Sequence, residues 1–504
     1  MTDSNSKSSP LTTQYKFSIV TADSPANDIL ASPYFSHLAN LFYYGLRDLG
    51  YDVQFSSSPF GIDRMPIIFG AHLISELAAI PDNAVIFNSE QHGSPWFGEN
   101  YIELLKKHFV IDYSLQNIDR LAELGIEAHH VRLGYVKEED RALGSSTEVQ
   151  KDIDVLFYGS LNQRRTMLLE LLAVEDITVH VAQNIFGDDL DALIQRAKIV
   201  LNVHYYETKL FEIVRLNYLL SNGVCVISET GHDPLEKDYE EAVIFSDYED
   251  LAETVMAALA DQEKLQAQRD AANSFMRTRP QDRLLTSDFV PYVEDIGLSK
   301  MTEHFPTVIN IGSGKDFNKF YLNLDILEET YPDIVYDITQ PFVDKNLSFS
   351  TTRFGVIHLH ENSIDTIVAN DVLEHLPDLI SAMTTCLHLL KYGGKMKIKV
   401  PYDLSYGAWQ DPTHVRAFNE ESWRYFTDWC WYIGWFEDTF RLASLLLDLH
   451  PIGVEMQNSG IDLAVIARTP RAVNSMVVEL EKIRLDEDTQ KRLRDFKQHR
   501  SFTP

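Results

Sequence analysis

Cysteine is scarce in this chain. Only Cys225, Cys386 and Cys430 occur among 504 residues, an odd set with no CxxC spacing. That excludes a disulfide framework and a thiolate zinc site, and it fits a reducing compartment. Cationic side chains are also in short supply. Lys plus Arg number 44 against 75 Asp plus Glu, a formal net charge of −31. Such a field repels nucleic acid and anionic membrane at long range, so neither is expected as a partner. A local basic pocket for a phosphorylated small molecule remains compatible with it. No run of ~18 apolar residues occurs, so no spanning helix is expected. Residues 1–14 read as a disordered tail without the apolar core of a signal peptide, and the expected location is the cytoplasm.

What is present is ordinary globular protein, with 45% hydrophobic and 24% charged residues. At ~100–200 residues per domain, the length allows about three. The pattern divides accordingly into three blocks. The first, residues 15–140, opens on the apolar run Phe17–Val20, and Leu38, Leu41, Tyr44, Gly45 and Leu49 share a helical face. Further strands are expected at Tyr51–Phe55, Ile67–Phe69 and Ala84–Phe87. Arg141–Gln150 is polar and reads as a linker. The second block, 151–280, has strands near Asp154–Phe157, Ile177–His180, Ile199–Asn202 and Val224–Ile227, then one long helical pattern over Leu251–Met276. Residues 281–304 read as a linker or a returning helix. The third block, 305–470, has strands at Thr307–Ile311, Tyr321–Asp325, Ile364–Val368 and Lys395–Val400, and 471–504 reads as a charged C-terminal helix. Short apolar strands alternating with helices imply parallel sheets covered on both faces, so the fold class is α/β with three Rossmann-like units.

The second block carries one cluster of chemistry. Its first strand runs into Gly159-Ser160, and Asn162, Arg164 and Arg165 follow. A glycine turn admits a phosphate close to the backbone, and guanidiniums can bind a diphosphate. Asn202 to Arg215 then passes from a strand to a helix and includes His204, Lys209, Glu212 and Arg215. Here the sequence resembles a nucleotide-sugar glycosyltransferase of the GT-B fold, over about residues 150–278. The resemblance implies that residues 15–140 bind the acceptor and residues 151–280 the donor. It implies that Glu212 holds the nucleotide ribose, with Gly159, Arg164, Arg165, Lys209 and Arg215 near the phosphates. The family's other glutamate is replaced by His204. In the first block, Glu90 or His92 follows a strand and could serve as general base for an acceptor hydroxyl. The one Asp-x-Asp spacing nearby, Asp152-Ile-Asp154, opens a strand and should face away from the cleft. No metal is expected.

The third block carries the other cluster. Gly312-Ser313-Gly314 leaves a strand, the next strand ends in Asp325, and Asp337, Asn370-Asp371-Val-Leu-Glu374-His375 and Gly393-Gly394 follow. This ordered set resembles a class I S-adenosylmethionine-dependent methyltransferase over about residues 305–425. The resemblance implies S-adenosylmethionine as cofactor. Gly312 and Gly314 would form its loop and Asp325 would hold its ribose. Asp337 would lie near the adenine, and Asp371 joins the cofactor set. A third glycine is frequent in the family; Asp316 stands there. Beyond the last of these strands, Asp411-Pro-Thr-His414-Val-Arg416 offers His414 and Asp411 to orient or deprotonate a sugar hydroxyl, and Arg416 to bind an anion. Tyr402, Tyr406, Trp409 and Trp423 suit either sugar stacking or plain packing.

The reading is therefore a GT-B-type glycosyltransferase fused to a methyltransferase. A nucleotide-sugar is its co-substrate and a glycan or lipid-linked acceptor its target, as in polysaccharide biosynthesis. The alternatives are a glycan-binding or scaffold protein with one inactive domain, and a nucleobase-modifying transferase, which the acidic balance disfavours.

Overall fold

The structure, a computed structural model, describes residues 15–22, 31–60, 64–74, 76, 79–91, 94–144, 149–175, 177–205, 209, 211–296, 305–340 and 346–500. It divides into two compact units. One gathers Met1–Pro59, Asp63–Ser75 and Asp82–Thr302; the other gathers Phe60–Ile62, Glu76–Pro81 and Glu303–Pro504.

Two parallel sheets make up the first unit. Strands β1 (Lys16–Thr21), β2 (Asp52–Ser56), β3 (Met65–Phe69), β4 (Val85–Asn88), β5 (Phe109–Asp112) and β6 (Ala128–His130) run in the order β2-β1-β3-β4-β5-β6. Strands β7 (Ile153–Tyr158), β8 (Val179–Ala182), β9 (Ala197–Asn202), β10 (Val226–Glu229) and β11 (Ile244–Ser246) run in the order β11-β10-β9-β7-β8. The continuous apolar runs seen in the sequence are the reason. β3 and β4 are buried at every position, as strands covered on both faces must be. In each sheet the order reverses beside the first strand, between β1 and β3 and between β7 and β9. Such a reversal leaves a crevice at the carboxyl ends of the strands, where α/β sheets bind ligands.

One expectation for this unit needs correction. Leu251–Met276 is not one helix but two, Leu251–Leu259 and Gln262–Arg277, because the Asp261 side chain caps the second by accepting from Lys264 N at 2.9 Å. Of the two readings of residues 281–304, the returning helix is the one that forms, as Gln281–Asp288 and Val290–Ile296 pack back on the first sheet. Leu285, Phe289 and Val293 are buried there, and the Phe289 ring lies 5.9 Å from Phe17 and 5.6 Å from Phe42. Gly45 makes the crossing possible. A Cβ at that position would come within 2.7 Å of Leu285 Cδ1 and 2.9 Å of Gln281 Cγ.

In the second unit, strands β12 (Val308–Ile311), β13 (Leu322–Asp325) and β14 (Ile334–Val335) are followed by a hairpin of β15 (Asn346–Thr351) and β16 (Gly355–His360). Then come β17 (Ile364–Asn370), β18 (Leu390–Pro401), β19 (Asp438–Leu449) and β20 (Val473–Arg484). The main sheet has the order β14-β13-β12-β17-β18-β20-β19, and β20 is antiparallel to both neighbours. Its reversal lies between β12 and its two partners β13 and β17.

The expected helix over 471–504 is therefore half wrong, and the domain does not stop at 470. Only Glu487–Arg500 is helical. In β20, Met476, Val478 and Leu480 are fully buried while Val477 is 41% exposed, a period of two that builds a strand. Lys482 ends this series wholly buried, its Nζ donating to Leu390 O at 2.9 Å and Asn362 Oδ1 at 2.8 Å.

Truncating Phe289 to alanine removes the ring that seals the returning helix onto Phe17 and Phe42. The expected loss is about 3–5 kcal/mol, the range for a buried phenylalanine. Equilibrium denaturation followed by tyrosine and tryptophan fluorescence checks it; a loss below about 1 kcal/mol contradicts the packing role.

Candidate functional site

The carboxyl ends of β7, β9 and β10 bring most of the expected donor residues together. Gly159 leaves β7 at φ 126°, a conformation open to glycine, and a Cβ there would sit 3.1 Å from an Arg215 guanidinium nitrogen. Asn162 caps the next helix through its side chain, accepting from Arg165 N at 2.9 Å. This cap turns Arg164 and Arg165 back over the sheet edge. Arg164 grips Glu229 with both terminal nitrogens and stacks 3.8 Å from the centre of the Tyr248 ring. Lys209 Nζ reaches the same carboxylate at 2.8 Å, and His204 N donates to it at 3.1 Å.

Arg165 does not do what the sequence suggested. It is buried, with Nε donating to Val203 O at 2.9 Å and a terminal nitrogen to Ser160 O at 2.7 Å. It ties two strand-end loops together and is not free to embrace a diphosphate. Glu212 lies between cations, 3.5 Å from Arg165 and 3.3 Å from Arg215, just ahead of helix Ile213–Ser221. Arg215 also donates to Asn202 Oδ1 at 3.1 Å. Among these touching side chains, four cations face two carboxylates, Glu212 and Glu229. They gather cations at one edge of a chain whose overall charge is −31. His204 adds none, because burial lowers its pKa, and its Nε2 lacks a hydrogen-bond partner among the described residues.

Glu229 is the residue that the sequence reading passed over. The signal was available: a glutamate closing the apolar strand Val226–Glu229 beside several cations. Asp152 and Asp154 stand at the opposite, amino end of β7, paired with Arg196 at 2.7 Å and Lys198 at 2.6 Å.

At the first sheet, Glu90 follows β4. Its carboxylate accepts from Ser94 Oγ at 2.9 Å and lies 3.4 Å from His72 Nε2. Burial raises the Glu90 pKa and lowers that of His72 to about 4. The two form a partly desolvated base pair next to Trp96, whose ring centre is 5.8 Å from His72. His92 lies outside the described residues.

The second unit repeats the strand-end logic. Gly312 turns at φ 63° off β12, where a Cβ would strike Val372 at 2.5 Å. Asp325 closes the loop, with Oδ2 accepting from Gly314 N at 2.7 Å and Oδ1 from Leu327 N at 2.8 Å. Ser313 Oγ is buried without a hydrogen-bond partner among the described residues. Asp337 is occupied by a local turn, accepting from Thr339 N at 2.9 Å and Thr339 Oγ1 at 2.7 Å. Asp371 is exposed beyond β17, with φ 53°.

Loop Asp411–Arg416 is stapled to the turn after β17. Val415 N donates to Glu374 O at 2.9 Å, and an Arg416 nitrogen to Leu376 O at 2.6 Å and Pro377 O at 2.9 Å. Arg416 is thereby used as a brace and not, as expected, for an anionic substrate. The staple sets His414 Nε2 4.0 Å from Glu374 Oε1 and its ring centre 4.6 Å from that of His375. Asp411 accepts from Thr413 Oγ1, and Thr413 meets His375 Nδ1 at 2.9 Å. The four aromatics divide. Tyr406 and Trp409 are exposed, whereas Tyr402 and Trp423 are core, Trp423 stacking on Phe418 at 5.4 Å.

Comparison with known proteins agrees with the first cluster. Residues 141–284, the stretch that contains β7–β11, match the family described as glycosyl transferase-like. The chain is 25% identical over 232 residues to the uncharacterized protein L140 of Acanthamoeba polyphaga mimivirus, covering 45% of this chain and 74% of that one. Among solved structures, sucrose-phosphate synthase from Thermosynechococcus elongatus is 13% identical, with a TM-score of 0.36 over 54% of this chain and 97% of that one. A SAM-dependent methyltransferase from Archaeoglobus fulgidus is 16% identical, with a TM-score of 0.24 over 34% of this chain and 85% of that one.

Glu229 supplies a pH test. Burial alone would raise its pKa, but hydrogen bonds from Arg164 and Lys209 hold it at about 2, below the ordinary 4.5. A carboxylate depressed in the folded state adds stability above its unfolded pKa and loses it as pH falls toward the folded one. Urea midpoints are therefore expected to fall between pH 4.5 and pH 2 more steeply for wild type than for Glu229→Gln. Parallel curves would contradict the clamp.

Proposed function

We propose that the chain is a bifunctional transferase. The first unit transfers a sugar from a nucleotide-sugar to a hydroxyl acceptor, and the second methylates a glycan hydroxyl with S-adenosylmethionine. The observation that carries the first half is the gathering of Arg164, Lys209 and Arg215 at the β7/β9 reversal, beside a glycine turn and Glu212. A nucleoside diphosphate offers the complementary chemistry: anionic oxygens for Arg164, Lys209 and Arg215, and ribose hydroxyls that can donate to Glu212. The fixed cations would stabilise the departing diphosphate without a metal. Glu90, backed by His72, would take the acceptor proton at the first sheet.

For the second half, the residues fit the cofactor. The Gly312–Gly314 loop admits close approach, Ser313 Oγ lacks a partner among the described residues, and each Asp325 oxygen retains a lone pair beyond its backbone bond. S-adenosylmethionine, when bound, supplies an electrophilic methyl group. Asp325 would accept from its ribose hydroxyls, and the Gly312–Gly314 backbone would border it. His414 and Glu374, buried across the β17 turn, would assist loss of the acceptor hydroxyl's proton, while Trp409 and Tyr406 offer exposed rings to a sugar face. Fusion suits two steps acting on one product, because tethering raises the effective concentration at the second site. Polysaccharide or lipid-linked glycan assembly in the cytoplasm is the setting that this chemistry fits.

The donor assignment is checked by titrating nucleoside diphosphate into wild type and Glu212→Ala. At least a tenfold loss is expected in the variant, and equal affinity removes Glu212 from the ribose. The methyl-transfer assignment is checked by calorimetry paired with single-turnover methyl transfer. Asp325→Ala is expected to weaken S-adenosylmethionine binding at least about tenfold, since charge-assisted bonds contribute roughly 1.5–3 kcal/mol each and ~1.4 kcal/mol is one decade. His414→Ala is expected to lower the rate by about 10²–10⁴ with cofactor affinity retained. The opposite pattern would exchange the two roles.

A further inference from the structure

We infer that Glu374, His375 and His414 form a site for one first-row divalent cation in the second unit. One ligand atom from each residue lies within 4.8 Å of the other two. Atoms bound ~2.0–2.2 Å from a shared ion stand ~3–4 Å apart, so closure needs shifts of about an ångström or less.

The hydrogen bonds around the cluster fix which ring nitrogens carry protons. His414 Nδ1 lies 3.0 Å from Ala408 O, a carbonyl that can only accept, so Nδ1 is protonated and the lone pair is on Nε2. Thr413 Oγ1 spends its proton on Asp411 Oδ1 at 2.6 Å and must therefore accept from His375 Nδ1 at 2.9 Å. That leaves His375 its lone pair on Nε2 as well. Glu374 has a side chain only 1% exposed, and neither of its oxygens has a hydrogen-bond partner among the described residues. Two imidazole Nε2 atoms and the Glu374 carboxyl group thus meet at one point. The two Glu374 oxygens, buried without a partner among the described residues, are costly in that state unless a cation or a proton joins them. Both rings are also braced at the far nitrogen by a carbonyl or by a hydroxyl–carboxylate pair, the support that metal-bound histidines receive.

Two imidazoles and one carboxylate suit Zn²⁺, Mn²⁺ or Fe²⁺ better than Ca²⁺, which prefers an all-oxygen shell. Three protein ligands leave positions open for a hydroxyl, whose proton a bound cation makes easier to remove. That last role rests on the methyl-transfer reading; the binding itself does not. The inference also departs from the sequence-based expectation of no metal.

The test uses the full chain, stripped with chelator and titrated calorimetrically with Mn²⁺. Wild type is expected to bind one equivalent, and Glu374→Gln and His414→Asn to bind at least ~10-fold more weakly. Equal affinity and stoichiometry in all three proteins, or no binding by wild type, overturns the site. Circular dichroism establishes that the variants are folded. Should either unfold, wild type alone decides: its melting temperature must rise with added Mn²⁺, and an unchanged value overturns the site. Intact Mn²⁺ binding without methyl transfer would leave the site standing and count against the proposed function instead.

Discussion

Glu229 has no exposed surface, and a carboxylate removed from water must be neutralised by groups held close to it. Arg164, from the first turn of the helix after β7, and Lys209, from the loop after β9, meet that requirement, and the backbone of His204 contributes a third donor. The loops after β7 and β9 are thus fixed by one group on β10. The arginine fork and the ammonium are already oriented before any ligand arrives, so binding an anion there costs little side-chain ordering. Arg165 supports the same arrangement from below, bridging Ser160 and Val203 through their carbonyls. What looks like a run of phosphate ligands is a framework of one buried anion and one buried cation, carrying a smaller set of outward charges.

The second unit solves a similar placement problem with different chemistry. Its loop after β12 is fixed by Asp325, whose two oxygens reach Gly314 N and Leu327 N. Its far side is fixed by the staple between Val415 and Glu374. The first unit orders its loops mainly through ion pairs to Glu229 and the second through bonds to backbone groups, and the polar residues differ in kind: cations in one, imidazoles in the other. Parallel sheets make this economical, because every strand delivers its following loop to the same edge.

Much of this was legible in the sequence, for physical reasons. Buried parallel strands are short apolar runs, so β3, β4, β9, β12 and β17 could be read from composition alone. Strand-end polar clusters then followed from where those runs stop, which is how Gly159, Glu212, Gly312, Asp325 and His414 were reached. The failures have causes as definite. β20 carries Glu479 and Glu481 on its outer face and the buried Lys482 on its inner one, so charge obscured its period of two and it was read as helix. The fate of Arg165 depended on carbonyls at Ser160 and Val203, and a backbone acceptor has no letter in a sequence. Glu374 was visible within Asp371–His375, but its pairing with His414 depends on a loop closing across 40 residues of chain.

Both units are completed by segments that come late in their own stretch of chain. The aromatic core around Phe17 and Phe42 is covered by Phe289, and β19 joins its sheet only through β20. During synthesis, which proceeds from the amino terminus, the first sheet emerges long before the helix that covers it, and β19 emerges before the strand that it must pair with. Nascent intermediates of each unit therefore expose an apolar face or an open strand edge for the time the ribosome takes to reach the closing segment. Exposed apolar surface and open strand edges are what make folding intermediates prone to aggregate, so those two delays are points of vulnerability in making this protein.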